Sequence, residues 1–274
     1  MGHDLNSLPP WEALLKKVLW VQIGLLSDQR ILDFGSGIGV TANHYATDNA
    51  VVAVEPSEES VHQRWEEHPY RQIIGSTDAL RQMPEESFDA IFCHNVLEYV
   101  PDREGILREF YRLLKPKGVL SVVKHNRPGR VMQMVVLLNE FEKADALLDG
   151  EDGSAAAYGT IHYYEDDDIT KWCEGFCIKE TYGIRTFWDL QQNQDCHKDP
   201  AWQEKMVAAE LRVSQMQPYR DIAFFHHLIF GKKKYDTMLT NKDILQIALQ
   251  QSAYDIPWMT YNSVSEVKDH VVSC

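Results

Sequence analysis

Two acids frame the stretch of this chain whose residue types most clearly suggest chemistry. Asp33 stands just ahead of alternating glycines, Asp33-Phe-Gly-Ser-Gly-Ile-Gly, and Glu55 closes the apolar run VVAVE. Gly35, Gly37 and Gly39 let the backbone turn tightly, admit a ligand close to the main chain and feed a helix start aimed at it. Dinucleotide-binding enzymes use a similar turn, so the glycines alone are a weak signal. Asp33 in front of them suits a ligand with a positive amino group better than a pyrophosphate. Glu55, at a strand end, can accept both hydroxyls of a ribose. The plainer alternative for either acid is a solvated loop carboxylate.

A second group of residues suits an acceptor of a transferred group. His94 and His125 end the apolar runs FDAIFCHNV and GVLSVVKHN, where either could act as a general base or sit as a hydrogen-bonded structural histidine. The motif KHNRPGR gathers Lys124, Arg127 and Arg130 directly after the second run. At a cleft mouth these cations would capture an anionic acceptor; elsewhere they would be a solvated face. Arg185, in GIRTFWD, offers a bidentate carboxylate clamp, or else a salt bridge to Asp189.

The elements that must carry these residues alternate along the chain. ILDF, VVAVE, RQIIG, FDAIFCHNV and GVLSVVKHN read as strands, and the amphipathic stretches between them as helices. Ser57 is a helix cap followed by acids, and REGILREFYRLL places Ile106, Phe110 and Leu113 on one helical face. Strands alternating with helices predict an α/β fold with a mostly parallel sheet and right-handed crossovers. After Asn126 the rhythm breaks at VMQMVVLLNEF, an apolar helix candidate, and an acidic Gly/Ser/Ala-rich stretch. DDDITKWCEGF then reads as a helix and CIKETYGIRTF as a strand. A helix near Trp202–Gln215 follows, and a last strand within Pro218–Lys234. The organisation expected is one domain over 1–234, with cap insertions at about 127–164 and 187–218, then a tail over 235–274. That tail contains the helix candidate NKDILQIALQQS and could pair two copies of the chain.

Composition narrows the field. At 274 residues, 44% hydrophobic and 25% charged, the chain can bury one large core and has no disordered or fibrous signature. A net charge of −14 argues against a surface that binds nucleic acid as a whole, though not against a local basic patch. No apolar run is long enough to span a bilayer and the N-terminus lacks an apolar signal core, so no membrane partner and a cytoplasmic location are expected. Five scattered cysteines read as free thiols. Cys173 and Cys177 could be one helical turn apart, but no second ligand pair supports a metal, and none is expected.

Taken in order, DFGSGIG, the acid of VVAVEPS, Asp78 of GSTDAL, FDAIFCHNVLEYV and LLKPKGVLSVV resemble the motif series of class I S-adenosylmethionine-dependent methyltransferases. The resemblance covers about Arg30 to Val123, and more loosely the sheet to Gly231. It implies a Rossmann-like sheet of seven strands, the last antiparallel and inserted beside the sixth, with helices on both faces. It further implies S-adenosylmethionine as cofactor. Asp33 and the Gly35, Ser36, Gly37 and Gly39 backbone would hold the methionine portion, and Glu55, with Pro56 beside it, the ribose. Asp78 and Ala79 would meet the adenine, and His94 would lie under the methionine portion, near the transferred methyl. For Asp78 a turn-forming role is the competing explanation.

A narrower resemblance, carried by HNVLEYV, GVLSVVKHNRPG with Met132, GIRTFWD and AAELRVSQMQPY, is to bacterial tRNA 5-carboxymethoxyuridine methyltransferases. It implies esterification of a carboxylate on a wobble uridine. His125, Asn126, Arg127, Arg185 and Tyr219 then stand on the acceptor side. The chain departs from that pattern near its start: the family's cofactor-holding arginine falls on Leu15, with Lys16 and Lys17 nearby. The acceptor expected is thus a small molecule or a tRNA nucleotide, methylated on a carboxylate or hydroxyl oxygen. A carboxylate needs no base, whereas a hydroxyl does. A nicotinamide-dependent oxidoreductase and a non-catalytic cofactor-binding protein are the rival classes.

Overall fold

The computed structural model describes residues 4–155 and 159–233. The first compact unit runs Met1–Lys232; the predicted tail, with its helix candidate and pairing role, lies outside the described residues.

Seven strands form one sheet: β1 (Arg30–Phe34), β2 (Ala50–Glu55), β3 (Arg71–Ile74), β4 (Phe88–His94), β5 (Leu114–His125), β8 (Phe176–Ile184) and β9 (Phe225–Lys232). Their order is β3-β2-β1-β4-β5-β9-β8. The first five are parallel, while β9 lies antiparallel to both β5 and β8. This is the Rossmann-like arrangement expected, with the last strand inserted beside the sixth. In the middle of the sheet the apolar runs are covered on both faces, as parallel strands require; Ile31, Leu32, Ala90 and Ile91 are all fully buried. Strand order reverses between β1 and β4, so the chain leaves their carboxyl ends in opposite directions and opens a crevice there.

Helices α2 (Val40–Tyr45), α3 (Glu58–His62), α4 (Thr77–Arg81) and α5 (Arg103–Leu113) connect these strands. The Ser57 cap forms, its Oγ accepting from Ser60 N at 3.2 Å. α5 buries Ile106, Phe110 and Leu113 on one face. Phe88, Phe92, Phe110, Phe176 and Phe230 are the bulkiest fully buried side chains. Each contributes on the order of 2–3 kcal/mol of hydrophobic stabilisation.

Several elements differ from expectation. Helix α1 (Pro10–Ile23) precedes the sheet and has no counterpart in the strand-helix pattern. Its apolar residues surround the cylinder instead of forming one stripe, which blurs the helical period. The predicted helix over VMQMVVLLNEF is divided: α6 (Arg127–Gln133) runs into a wide π turn at Met134–Leu138, which Asn139 ends at φ 55°. α7 (Phe141–Leu148) and a hairpin of β6 (Gly153–Ala155) with β7 (Gly159–Ile161) complete that segment. Helix α8 (Asp168–Trp172) stops early, with Cys173 extended at its end and Cys177 already in β8. The two thiols are therefore not a helical turn apart, and no metal-holding cluster of His, Cys, Asp or Glu occurs among the described residues. β8 ends before Arg185, whose φ of 62° turns the chain away. Helix α9 (Pro200–Val213) is capped by Asp199, which accepts from Ala201 N at 2.9 Å.

Candidate active site

The loop after β1 builds a floor from main chain. Gly35 has φ 74°, and a Cβ there would lie 2.3 Å from Val96 Cγ2. Gly37 has φ 55°, but a Cβ there would meet nothing within 4 Å, so this glycine faces open space where a ligand can approach. Glu55 ties the floor to β2: its Oε2 accepts from Gly37 N at 2.8 Å and its Oε1 from Ser57 N at 2.9 Å. A carboxylate has about four acceptor positions. Two remain on this buried side chain, enough for a pair of ribose hydroxyls.

Asp33 lies beside it, 3% exposed. Its Oδ2 is buried without a partner. Burial pushes the carboxyl up to about 6 and Glu55 adds to this, while Lys16 and the Ala42 N–H pull the other way. An amino group bound here would supply the missing partner, so the residues fit the methionine end of S-adenosylmethionine. Ser36 Oγ is a second unpartnered buried atom in the same loop. Lys16 is a buried cation close enough to Asp33 to act on its charge. Its Nζ donates to Thr41 Oγ1 at 2.9 Å, and burial lowers its pKa against the pull of Asp33 and Glu12. Leu15, by contrast, packs in the core near Ile184 and Trp188. Asp78 and Ala79 follow β3 in α4. Asp78 is exposed and pairs with Arg81, at 2.9 Å, while Ala79 packs partly buried against the core. Pro56 is exposed beside Glu55.

His94 ends β4, and a chain of hydrogen bonds fixes its tautomer. The Gly183 carbonyl can only accept, so Gln22 turns its Nε2 to it at 3.1 Å. Gln22 Oε1 then faces His227 Nδ1 at 2.8 Å, and this nitrogen must donate. Burial holds His227 down to about 3, hence neutral, and its Nε2 accepts from the Ser121 hydroxyl at 2.8 Å. Ser121 Oγ in turn accepts from His94 Nε2–H at 2.9 Å. The pKa of His94 lies well below the usual imidazole range, chiefly through burial and also through His227 and Lys16. It is left with a bare, buried and unpartnered Nδ1.

Two of the residues read as acceptor-side, His125 and Arg185, meet at a pair of rings that the sequence did not single out, Phe224 and Phe225. His125 lies 5.7 Å from the Phe224 ring and 4.8 Å from the Phe225 ring. The Arg185 guanidinium lies over both and over Trp11 of α1, and Arg130 over Phe224 at 5.7 Å. Arg185 is buried and pairs with both oxygens of Asp189, Nε to Oδ2 at 2.8 Å. Asp189 Oδ1 also accepts from Gln133, whose amide oxygen accepts from Arg130. Arg130 Nε is buried without a partner. Glu210, fully buried, receives the N–H groups of Thr186, Phe187 and Trp188 at 2.7–3.1 Å and so fixes the loop carrying Arg185.

Other cations of the cluster are engaged within the fold. Lys124 pairs with Asp166 at 3.1 Å, and Arg127 donates to the Leu147 and Glu151 carbonyls beneath Tyr163. The Asn126 amide donates to the Asp221 and Ala223 carbonyls, at 2.9 and 2.8 Å, which joins the end of β5 to the approach to β9. Tyr219 is half exposed, its ring edge-on to Phe187. Glu98, fully buried after β4, accepts from both His125 N at 2.7 Å and His125 Nδ1 at 3.1 Å. No motif read from the sequence pointed to Glu98, although it lies within FDAIFCHNVLEYV.

Comparison with known proteins agrees with this geometry. Residues 32–122 match the family described as a methyltransferase domain. The chain is 30% identical over 148 residues to the ubiquinone biosynthesis O-methyltransferase of Pseudomonas putida (strain W619), a match covering 51% of this chain and 60% of that protein. It is 24% identical over 217 residues to the tRNA 5-carboxymethoxyuridine methyltransferase of Escherichia coli O157:H7, covering 74% of this chain and 80% of that one. Among solved structures, a protein from Pyrococcus horikoshii OT3 superposes with a TM-score of 0.54 at 11% identity, covering 84% of this chain and 94% of that one. An S-adenosylmethionine-dependent methyltransferase from Mesorhizobium loti superposes with a TM-score of 0.50 at 16% identity, covering 83% and 99%. The stretch from Leu32 to Val122 thus matches a methyltransferase domain, and the orphaned carboxylate and ribose-ready glutamate of the floor fit S-adenosylmethionine.

Proposed function

We propose that the chain is a methyltransferase that passes the methyl group of S-adenosylmethionine to an oxygen of an anionic acceptor. The observation that carries this reading is the meeting, at the carboxyl ends of β5 and β8 and the approach to β9, of His125, Arg130 and Arg185 around Phe224 and Phe225. When bound, the cofactor supplies an electrophilic methyl on a positively charged sulfur. The residues of this chain contribute position and environment. Asp33 and Lys16 sort the two charges of the methionine end, Glu55 holds the ribose, and Asp78 with Ala79 borders the adenine. Helices α6 and α7 of the cap lie beside the rim, with Arg130 and Arg185 drawing a negative acceptor toward the rings.

The acceptor is a small molecule or a nucleotide of tRNA. Similarity to the tRNA 5-carboxymethoxyuridine methyltransferase over most of the chain supports the second reading, a wobble-uridine carboxyl methyltransferase. The net charge of −14 weighs against a broad RNA surface and leaves the local cations to do the binding. Among the described residues no helix is long and apolar enough to cross a membrane.

Two measurements test the proposal. Calorimetry with S-adenosylhomocysteine is expected to show binding that Glu55→Ala strongly weakens. Nucleoside mass spectrometry of tRNA from cells lacking the gene, beside an untargeted comparison of methylated metabolites, then identifies the acceptor. An unchanged wobble nucleoside removes the tRNA reading and leaves the methyltransferase one. Cofactor binding with no product in either comparison favours a non-catalytic binding protein.

A further inference from the structure

His125 and Glu98 form an arrangement that holding an anion does not require. Glu98 is fully buried, and its Oε1 receives both the backbone N–H and the ring Nδ1–H of His125. Its Oε2 has no partner, so the carboxylate is committed to this one histidine. A carboxylate oxygen can only accept, so Nδ1 carries the proton and Nε2 presents its lone pair. Four rings wall the imidazole: Tyr99 at 6.3 Å, Tyr163 at 6.5 Å, Phe224 at 5.7 Å and Phe225 at 4.8 Å. A carboxylate, an imidazole it orients and an unprotonated Nε2 are the parts of a general base.

His94, the other histidine at this rim, is differently placed. Its Nε2–H is held by Ser121, and its bare Nδ1 is buried within electrostatic reach of Lys16, at the end of the cleft that suits the methionine portion.

We propose that His125, positioned by Glu98, is the catalytic base, and that the acceptor presents a hydroxyl on an aromatic ring, which the surrounding rings stack against. This rests on the methyltransferase reading above and narrows its acceptor from carboxylate or hydroxyl to hydroxyl. A preformed carboxylate needs no base, and a buried glutamate dedicated to orienting one would then have no use. In the step, a lone pair of the hydroxyl oxygen forms the new C–O bond to the methyl carbon. The C–S bond breaks with its electron pair remaining on sulfur, and the hydroxyl proton passes to His125 Nε2, from which it leaves to solvent. The charged and titratable groups that surround His125 are Glu98 and Tyr99 from the turn after β4, Tyr163 from the cap, Arg130 and Arg127 of α6 through Phe224 and Tyr163, and Arg185 across Phe224 and Phe225.

The test uses the full chain saturated with S-adenosylhomocysteine and the dye 4-nitrocatechol, whose ionised form absorbs at longer wavelength. In the unaltered protein the bound dye is expected to ionise at lower pH than free dye. His125→Gln is expected to shift that ionisation up by about one pH unit and to slow methylation of the dye by about a hundredfold or more, with S-adenosylhomocysteine affinity unchanged. Glu98→Gln keeps the shape and an oxygen for the backbone N–H; it is expected to move the acid limb of the rate profile to lower pH while KM stays put. A merely structural glutamate would leave that limb where it is. Should Glu98→Gln fail to fold, His125→Gln alone decides. The proposal is overturned if the dye titrates identically in His125→Gln, if the dye binds but neither protein methylates it, or if S-adenosylhomocysteine binds and the dye does not. Failure of S-adenosylhomocysteine itself to bind would instead remove the methyltransferase reading beneath it.

Discussion

The cofactor floor and the acceptor rim lie at the same end of one sheet but are built by different means. The floor is local: a strand, a glycine turn and the next strand place Asp33, Gly37 and Glu55 within one β-α-β unit, and main-chain N–H groups do much of the work. The rim is assembled over long range. Arg185 and Asp189 follow β8, Phe224 precedes and Phe225 begins β9, His125 ends β5, and Trp11 comes from α1. A short-range device tolerates little change in its own residues. A long-range one depends on every element that delivers a part.

Glu55→Ala should separate the two most sharply. It removes the acceptor for Gly37 and Ser57 N–H along with the proposed ribose contacts, and the loss of charge-assisted bonds should weaken S-adenosylhomocysteine binding by about a hundredfold, read by calorimetry, while the rim is untouched. Next in size is Arg185→Ala. Leaving Asp189 charged and buried should cost about 3–5 kcal/mol in urea unfolding. Arg185→Met combined with Asp189→Leu should recover most of that stability without restoring acceptor capture, which would split the structural from the binding role. If the double variant keeps full activity, the rim does not use Arg185 on the acceptor.

Acidity should divide the regions as well. With the Asp33 carboxyl at about 6 in the folded chain against 3.8 ordinarily, the folded state holds more protons between those values. Its contribution to stability therefore falls as pH rises through that window. A bound ammonium would favour the ionised form, so calorimetry at pH 6 in two buffers of different ionisation enthalpy should reveal proton release on binding, absent at pH 8 and absent in Asp33→Asn. His227 has the opposite sign: at about 3 when folded against 6.5 ordinarily, it costs stability as pH falls below 6.5. Urea unfolding of His227→Gln should show a weaker loss between pH 7 and 5. The smallest effect belongs to Asp78→Ala. This exposed acid should change cofactor affinity only a few-fold, since an exposed pair contributes about 0–1 kcal/mol.

What could be read from the sequence follows the same divide. The glycine turn, Asp33, Glu55 and the order of the strands lie in short windows with strong local signals, and the sheet formed accordingly. Arg185 was singled out with Asp189 as its alternative partner, and the pair forms. Lys124 and Arg127 were read as rim cations, yet their partners, Asp166 and the carbonyls of Leu147 and Glu151, lie far off in sequence, where no spacing rule reaches. Glu98 was hidden for the same reason, since only the fold brings it under His125. Helix α1 escaped because apolar residues on every side leave no period to detect.

The place of β9 carries a consequence for the making of this protein. Synthesis reaches Phe224, Phe225 and His227 after all the other strands, yet β9 must lie between β5 and β8. A nascent chain that stops short of β9 has no strand to join β8 to the rest, no ring pair under Arg185 and no histidine for Ser121. The proposed acceptor rim is thus the last part of the sheet that synthesis can complete.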